Sequence, residues 1–362
     1  MAPSMQQRAA TAKKEISALN SKIETTLKQK RNSTLAGAAA SEPLSDYRNN
    51  VKARRLLRGH FGKITALDWT ADGTTIVSAG QDGHLLLWDA LSTSKLKDIR
   101  LKSAYVMSVA IEASGRYVAA GGLDNACAIY NVGSEGPAQL TTELVSHEGY
   151  LADCKFFHSP SKMLTASGDT TSLLWDVEKG KILDTFVEHK KNLTSVELID
   201  QNTFLSASTD TTIKLWDVRT SAKSGSIKTL SGHTGDVNGI TTFPGGSTLA
   251  SCSEDGTVRV WDLRAYAEIA SFGELISAND RDPFAEDGDF GFTSLSASKS
   301  GRLLFCGYCD GSLVCYDTMS ASKDAAYVVD TAHEEYISCV KVSPTGDGVC
   351  TGSWDSFLKI FA

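Results

Sequence analysis

Residues 231–262 read SGHTGDVNGITTFPGGSTLASCSEDGTVRVWD, and this stretch decides the fold. Four of its residues matter most: His233, Ser251, Asp255 and Trp261. The Asp lies in a turn-like Glu-Asp-Gly segment, and the alternating apolar residues that follow it are typical of a β-strand. The same arrangement returns along the chain, so the stretch is one unit of an internal repeat.

The repeat has seven units. Each contains an aromatic residue near its end, at Trp88, Tyr130, Trp175, Trp216, Trp261, Tyr316 and Phe361. The separations are 42, 45, 41, 45, 55 and 45 residues, which is the period of a four-stranded propeller blade. An Asp precedes every one of these aromatic residues by six positions. The sequence therefore predicts an all-β fold, a seven-bladed β-propeller.

Five units carry two further residues at fixed offsets. A His lies 21 or 22 residues before the Asp, and a Ser or Thr lies four residues before it. These positions resemble the hydrogen-bond network of WD repeats, in which the His connects the Asp to a hydroxyl that also meets the Trp indole. The sets are His60, Ser78, Asp82 and Trp88; His147, Thr165, Asp169 and Trp175; His189, Ser206, Asp210 and Trp216; His233, Ser251, Asp255 and Trp261; and His333, Thr351 and Asp355.

Units two and six lack the His, the hydroxyl and the Trp together. This joint loss is expected, because a network that loses one member leaves the others unsatisfied. In unit seven Phe361 takes the Trp position, so we expect that network to lack its final donor.

The two ends of the repeat region predict how the ring closes. The chain stops at Ala362, directly after the third strand of unit seven, so this blade is one strand short. Residues 51–58 precede the first repeat His and have no blade of their own. We expect them to supply the missing outer strand, which removes an exposed sheet edge and sets the propeller at 51–362. The long acidic connection at 263–292 is expected to be a surface excursion between blades five and six.

Motifs and composition argue against catalysis and metal binding. Five of the seven His belong to the repeat, which leaves His84 and His158. The sequence has no nucleophile elbow, zinc-protease motif or P-loop. Cys306 and Cys309 form a C-x-x-C pair, but no second pair stands at zinc-ribbon spacing, and the eight Cys are interpreted as buried thiols. We expect no enzyme activity, metal or cofactor.

Charge is unevenly distributed. Residues 1–58 carry 12 Lys and Arg against 4 Asp and Glu, a net of +8, so the −7 of the whole chain leaves −15 on residues 59–362. An acidic propeller is a poor platform for nucleic acid, which needs a basic face. No apolar run approaches the roughly 18 residues of a membrane span, so we expect any membrane association to be indirect.

Residues 1–32 predict a coiled-coil helix, followed by a linker at 33–50. Met5, Ala9, Ala12, Ile16, Leu19, Ile23 and Thr26 are alternately four and three residues apart. Three heptads are marginal for an isolated helix, so the stripe of Ile16, Leu19 and Ile23 needs a partner. An arm packed on its own propeller, or self-association, is the alternative.

The arm, the closing strand and seven WD units together resemble the β subunit of heterotrimeric G proteins, as a divergent member. The segments that carry the resemblance are LRGHFGKI (57–64), QDGHLLLWD (81–89), YVAAGGLDNACAIYN (117–131), SGDTTSLLWD (167–176), SKSGRLLFCGY (298–308) and TGSWDSFLKIF (351–361). The resemblance implies an obligate γ subunit paired with the arm and an α subunit bound in its GDP form. Receptor-driven release then frees the dimer for effectors. It also implies the cytoplasmic face of the plasma membrane and the cytoplasm, through a lipid on γ.

The resemblance further implies the residues that contact the α subunit and effectors: Lys63, Leu86, Lys95, Tyr105, Met107, Leu123, Asn125, Tyr150, Asp236, Asn238 and Trp354. Residues next to the turn Asp, or three and five after a repeat His, are expected at one rim of the ring. Tyr105, Met107, Leu123 and Trp354 are the candidates for binding hot spots. Thr65, Asn192 and Thr194 depart from the residues usual in the family, mostly in blade four.

Two other interpretations stay open. A WD-repeat scaffold of another complex, of ribosome-associated or ubiquitin-ligase type, explains the propeller but not the heptad arm together with TGSWDSFLKIF. An RNA- or chromatin-associated propeller is opposed by the acidic balance. Dependence on a γ partner distinguishes the first, and failure to bind nucleic acid at low salt excludes the second.

Overall fold

The computed structural model describes residues 51–133, 136–157, 159–220, 225–273, 291–320 and 323–362. These residues form seven four-stranded antiparallel sheets and no helix. The seven-bladed propeller that the repeat predicts is therefore confirmed. The predicted arm, with Ile16, Leu19 and Ile23, lies outside the described residues, and none of the described segments is a helix able to cross a membrane.

Each blade begins with an inner strand and ends with an outer strand. The strands of blades 1 and 2 are β2 (Ile64–Trp69), β3 (Thr75–Gly80), β4 (His84–Asp89), β5 (Lys95–Arg100), β6 (Val106–Ile111), β7 (Tyr117–Gly122), β8 (Ala126–Asn131) and β9 (Gln139–Val145). Those of blades 3 and 4 are β10 (Leu151–Phe156), β11 (Lys162–Ser167), β12 (Thr171–Asp176), β13 (Lys181–Val187), β14 (Leu193–Leu198), β15 (Thr203–Ser208), β16 (Thr212–Asp217) and β17 (Lys228–Ser231).

Blades 5 and 6 contain β18 (Val237–Thr242), β19 (Thr248–Ser253), β20 (Thr257–Asp262), β21 (Ala267–Gly273), β22 (Phe292–Ala297), β23 (Leu303–Tyr308), β24 (Leu313–Asp317) and β25 (Tyr327–Val329). Part of the long connection expected at 263–292 is thus the outer strand β21, and residues 274–290 lie outside the described residues.

Blade 7 joins the two ends of the propeller. It consists of β26 (Ile337–Val342), β27 (Val349–Ser353), β28 (Phe357–Phe361) and β1 (Ala53–Arg58). Strand β1 pairs antiparallel to β28, with Leu57 opposite Leu358, which is the place that the sequence predicts for residues 51–58. The Ser338 hydroxyl donates to the Ile64 carbonyl at 2.6 Å and so links blade 7 to blade 1.

The core lies between neighbouring blades. Strands β3, β4 and their equivalents are apolar on both faces because each blade is covered on both sides, which explains their nearly continuous apolar runs. Between blades 7 and 1, Leu57 of the closing strand packs in one cluster with Ile64, Trp88 and Leu358. The four Trp of the repeat, at 88, 175, 216 and 261, are almost fully buried and pack in the clusters between neighbouring blades.

Candidate partner-binding face

The complete networks are linear chains of hydrogen bonds. In blade 5, His233 Nδ1 lies 2.9 Å from Asp255 Oδ2, and His233 Nε2 lies 2.8 Å from Ser251 Oγ. The Trp261 indole N–H donates to the same Oγ at 2.9 Å. Blades 1, 3 and 4 show the same order, with distances of 2.8 to 2.9 Å.

Burial settles the protonation of two of these rings. It lowers the pKa of His147 and His189 in spite of their hydrogen bonds to Asp, so both imidazoles are neutral at about pH 7. A neutral ring that carries its proton on Nδ1 donates to the Asp and accepts the hydroxyl proton at Nε2. The hydroxyl oxygen then accepts from the indole N–H, so the imidazole, the hydroxyl and the indole of this network all have hydrogen-bond partners.

The turn Asp also holds two loops together. Asp82 Oδ2 accepts from the backbone N–H of Phe61, and Asp82 Oδ1 accepts from the N–H of His84, both at 3.0 Å. Burial alone raises the pKa of Asp82, but the hydrogen bond and the electrostatic interaction with His60, together with these N–H groups, outweigh it and bring the pKa to about 2. The loop before the inner strand and the turn after the second strand are therefore fixed side by side at one rim.

Three blades have incomplete networks. In blade 7, His333 contacts Asp355 and Thr351 at 2.8 and 2.7 Å, and Phe361 provides no indole. In blade 2, which lacks the His, Tyr130 is buried in the Trp position. In blade 6, Tyr316 packs against the rings of Phe272 and Phe292, with centroids 5.2 and 6.1 Å away. Apolar packing thus replaces the polar chain where the His is missing.

Of the eleven residues named for partner binding, four are exposed, six are half-buried and one is buried. Tyr105, Leu123 and Met107 are 52%, 53% and 38% exposed, so these three large apolar side chains are accessible to a partner. Lys95 is exposed as well. The half-buried members are Lys63, Asn125, Tyr150, Asp236, Asn238 and Trp354. The set combines Tyr, Trp, Met and Leu side chains with polar and charged ones, which is the composition of a protein interface.

Leu86 does not belong to this face, and its assignment was wrong. The side chain is completely buried and packs in the cluster between blades 7 and 1. Its strand, β4, is covered by β3 and β5 within the blade and by blade 7 across the interface. No partner can contact Leu86 without opening the propeller.

Trp354 is held in place by two neighbours. The ring of Tyr336 stacks on it, with centroids 4.5 Å apart and planes 25° from parallel. The Lys63 ammonium lies 3.6 Å from the Trp354 ring centroid, within the range of a cation–π contact. The backbone N–H of Trp354 also donates to the backbone carbonyl of Tyr336 at 3.0 Å. This cluster presents an aromatic ring and a cation in fixed positions.

Two residues of this surface were missed by the sequence analysis. Phe61 is 92% exposed, since Asp82 holds its backbone N–H while the side chain points to solvent. Tyr336 was missed because its role depends on contact with Trp354. For Phe61 the signal was present: an aromatic residue directly after a repeat His lies on the same loop as Lys63.

The departures from the family pattern have a structural role. The Thr65 hydroxyl donates to the Val106 carbonyl, and the Thr194 hydroxyl to the Val237 carbonyl, both at 2.5 Å. Each bond crosses from one inner strand to that of the next blade. Asn238 makes a similar bond to the Phe292 carbonyl at 2.9 Å. Thr65, Met107, Thr194 and Asn238 all line a central cavity of about 160 Å³.

The eight cysteines, all within the described residues, form no disulfide bond. Cys306 is buried and Cys309 is half-buried, and burial raises the pKa of the Cys306 thiol far above its usual value. Among the described residues, no group of three or more His, Cys, Asp and Glu side chains is arranged to hold a metal ion.

The family described as "G protein beta WD-40 repeat protein" matches residues 6–362. The chain belongs to the G-protein β family. Among its relatives, a guanine nucleotide-binding protein subunit beta of Nicotiana tabacum is 36% identical, over 99% of this chain and 97% of the tobacco protein. One of Oryza sativa subsp. japonica is 34% identical over 88% of this chain and 86% of the rice protein.

The propeller of this G-protein β chain also resembles solved structures outside the family. The WD40 propeller domain of Doa1 superposes with a TM-score of 0.72 and covers 87% of this chain and 97% of the Doa1 chain. At 19% identity this likeness concerns the fold alone.

Proposed function

We propose that this G-protein β chain is the platform of a heterotrimeric G protein in signal transduction. Its arm pairs with a γ subunit, its rim binds an α subunit in the GDP form, and the dimer released after receptor activation engages effectors. The family match over residues 6–362, which includes the arm as well as all seven blades, is the observation that supports this most. A propeller scaffold of another kind would not need to match in the arm.

The rim has the properties that α binding requires. Phe61, Tyr105 and Leu123 expose apolar surface, and the Lys63–Trp354–Tyr336 cluster adds a fixed cation and an aromatic ring. Because the turn Asp residues hold these loops rigidly, little conformational entropy is lost when a partner binds.

The arm and the membrane complete the proposal. Ile16, Leu19 and Ile23 would form the seam with a γ helix, and a lipid on γ would hold the dimer at the cytoplasmic face of the plasma membrane. The relatives are named as G-protein β subunits, which supports a γ and an α partner for this chain. The protein would act by binding and release, without a catalytic step of its own.

Affinity purification of the tagged full chain, compared with the same chain lacking residues 1–32, tests the arm. We expect a small helical protein to co-purify with the full chain but not with the shortened one. An α subunit should join with GDP and leave with a GTP analogue. A full chain that purifies alone, or with ribosomal or ubiquitin-ligase components, would contradict the proposal.

The rim is tested by single substitutions measured against α-GDP. Trp354→Ala and Tyr105→Ala should each weaken binding by about 2 kcal/mol, or about thirtyfold in Kd, as for hot-spot residues. Val187→Ala is a matched control, since Val187 is 57% exposed but lies on the outer strand of blade 3. Unchanged affinity in both rim variants would show that the α subunit binds elsewhere.

A further inference from the structure

Blades 2 and 6, which lack the network His, each have a cavity beside the Tyr that replaces the Trp. In blade 2 this cavity is only about 10 Å³ and is bordered by Asp124, Tyr130 and Lys102. The cavity of blade 6, which opens between blades 5 and 6, is about 680 Å³. We call it the blade 6 pocket, and it is lined by aromatic, charged and apolar side chains, among them Phe292, Tyr308, Asp310, Val314, Tyr316 and Lys323.

The blade 6 pocket corresponds to the place of the imidazole in a complete network. In blade 5, His233 Nδ1 lies 2.9 Å from the Asp255 carboxylate, and the imidazole centroid lies 6.2 Å from that of the Trp261 ring. Asp310 and Tyr316 take the equivalent positions in blade 6, and both line the pocket. Blade 6 therefore keeps the carboxylate and the aromatic ring, but its sequence has no His to lie between them.

Two polar groups of the pocket can still accept a hydrogen bond. Asp310 Oδ1 accepts from the Ser312 N–H at 2.7 Å, but the Asp310 carboxylate forms no ion pair with any described residue. The Tyr316 side chain is only 4% exposed, and its hydroxyl has no hydrogen-bond partner in the part of the chain that the structure describes. A Cβ on Gly273 would lie 3.5 Å from this hydroxyl, so the glycine leaves the oxygen open to the pocket.

Blade 2 shows which group fits beside these two residue types. Lys102 precedes Asp124 by 22 residues, which is the offset of the network His in most complete units. Lys102 borders the small cavity together with Tyr130, and its ammonium is held by Glu143 at 2.5 Å. The position of Glu143 on the outer strand is taken by Val328 in blade 6. Blade 6 thus lacks both the cation of blade 2 and the acid that holds it.

The charges of the blade 6 pocket favour a cation. Its charged residues are Asp310, Asp324 and Lys323, which give one net negative charge. Lys323 is exposed, and its ammonium forms no ion pair with Asp310 or with any other residue that the structure describes. The three aromatic residues add to this preference, because the faces of aromatic rings attract cations.

We propose that the blade 6 pocket binds an alkylammonium group, the chemistry shared by a lysine side chain of a partner protein and a free polyamine. The ammonium donates to the Asp310 carboxylate and the Tyr316 hydroxyl, and the alkyl chain packs on Phe292 and Val314. The inference does not depend on the proposed G-protein function, because none of the residues named for α binding lines this pocket.

Ligand-observed NMR by saturation transfer tests the proposal on the full chain, together with any subunit that remains bound. n-Butylamine, which is an alkylammonium at neutral pH, is titrated in parallel with 1-butanol, its neutral analogue. A hydrogen bond to a charged group contributes about tenfold to affinity, so the amine should bind about tenfold more tightly than the alcohol. Asp310→Asn should remove this difference, and Tyr316→Phe, which keeps the ring, should weaken amine binding about fivefold.

Asp124→Asn is the matched control, since Asp124 is the equivalent exposed turn residue of blade 2, beside a cavity that Lys102 already borders. This variant should bind butylamine like the wild type. Tighter binding of spermidine than of butylamine would identify a polyamine as the ligand, and tighter binding of a capped Gly-Lys-Gly peptide would identify a partner lysine.

Urea unfolding followed by tryptophan fluorescence verifies that the variants are folded. Because Asp310 is exposed, Asp310→Asn keeps the test open if Tyr316→Phe unfolds. The proposal would be overturned by equal binding of butylamine and butanol to the wild type, or by an Asp310→Asn variant that binds butylamine as tightly as the wild type does.

Discussion

Ser251→Ala is the substitution that tests the network of blade 5 most directly. The Ser251 hydroxyl is fully buried and accepts from the Trp261 indole while contacting His233 Nε2. Ala fills nearly the same volume, so the variant leaves no large cavity. It removes the partner of two buried polar groups, each of which costs about 1–3 kcal/mol when left unsatisfied. We expect a loss of about 3 kcal/mol in the free energy of unfolding.

The assay is urea unfolding of the full chain, followed by tryptophan fluorescence. Blade 6 provides a matched control, because Cys306 lies at the position equivalent to Ser251 in a blade that has neither the network His nor the Trp. Cys306→Ala removes a buried sulfur but breaks no network, so it should cost about 1 kcal/mol. The reasoning fails if Ser251→Ala is no more destabilising than Cys306→Ala. It would also fail if His233→Ala and Ser251→Ala had strictly additive effects, because members of one network should be coupled.

Three further predictions concern stability. The folded-state pKa of Asp82, about 2, lies below its usual value of 3.8. The contribution of ionised Asp82 to the free energy of unfolding is therefore complete above about pH 4 and is lost as the pH falls toward 2. Asp82→Asn should lower the urea midpoint at neutral pH but not at about pH 2. Leu57→Ala should lower the free energy of unfolding by about 2–5 kcal/mol because Leu57 is buried in the closing strand. Leu56→Ala, at a half-buried neighbour, should lower it clearly less. Equal effects would argue against closure by β1. Thr65→Val removes the hydrogen bond to the Val106 carbonyl and should lower the free energy of unfolding by about 1 kcal/mol. An unchanged urea midpoint would show that this bond between blades contributes nothing to stability.

The repeat was predictable because each unit carries its own partners. His, Ser or Thr, Asp and Trp stand at fixed offsets within about 30 residues, and a four-stranded meander brings equal offsets to equal places. The hydrogen bonds of blade 5 are therefore those that the spacing indicates. The closing strand was predictable for a similar reason, since the last unit is one strand short and an unpaired edge is unfavourable.

Exposure was not predictable in the same way. Leu86 and Phe61 are both apolar, yet one is completely buried and the other is 92% exposed. The difference arises from what covers each backbone position: β3, β5 and blade 7 around Leu86, and solvent around the loop that Asp82 fixes. A sequence gives the order of residues along a blade but not which neighbouring blade lies against them.

The amino-acid sequence by itself determined the number of blades, the hydrogen-bond networks and the family, because these depend on residues that repeat within one unit or one segment. Only the tertiary structure showed that Tyr336 stacks on Trp354, that Thr65 and Thr194 link neighbouring blades, and that a pocket opens between blades 5 and 6. Each of these depends on contacts between parts of the chain that no local pattern relates. They form when the ring closes and fixes which surfaces face one another.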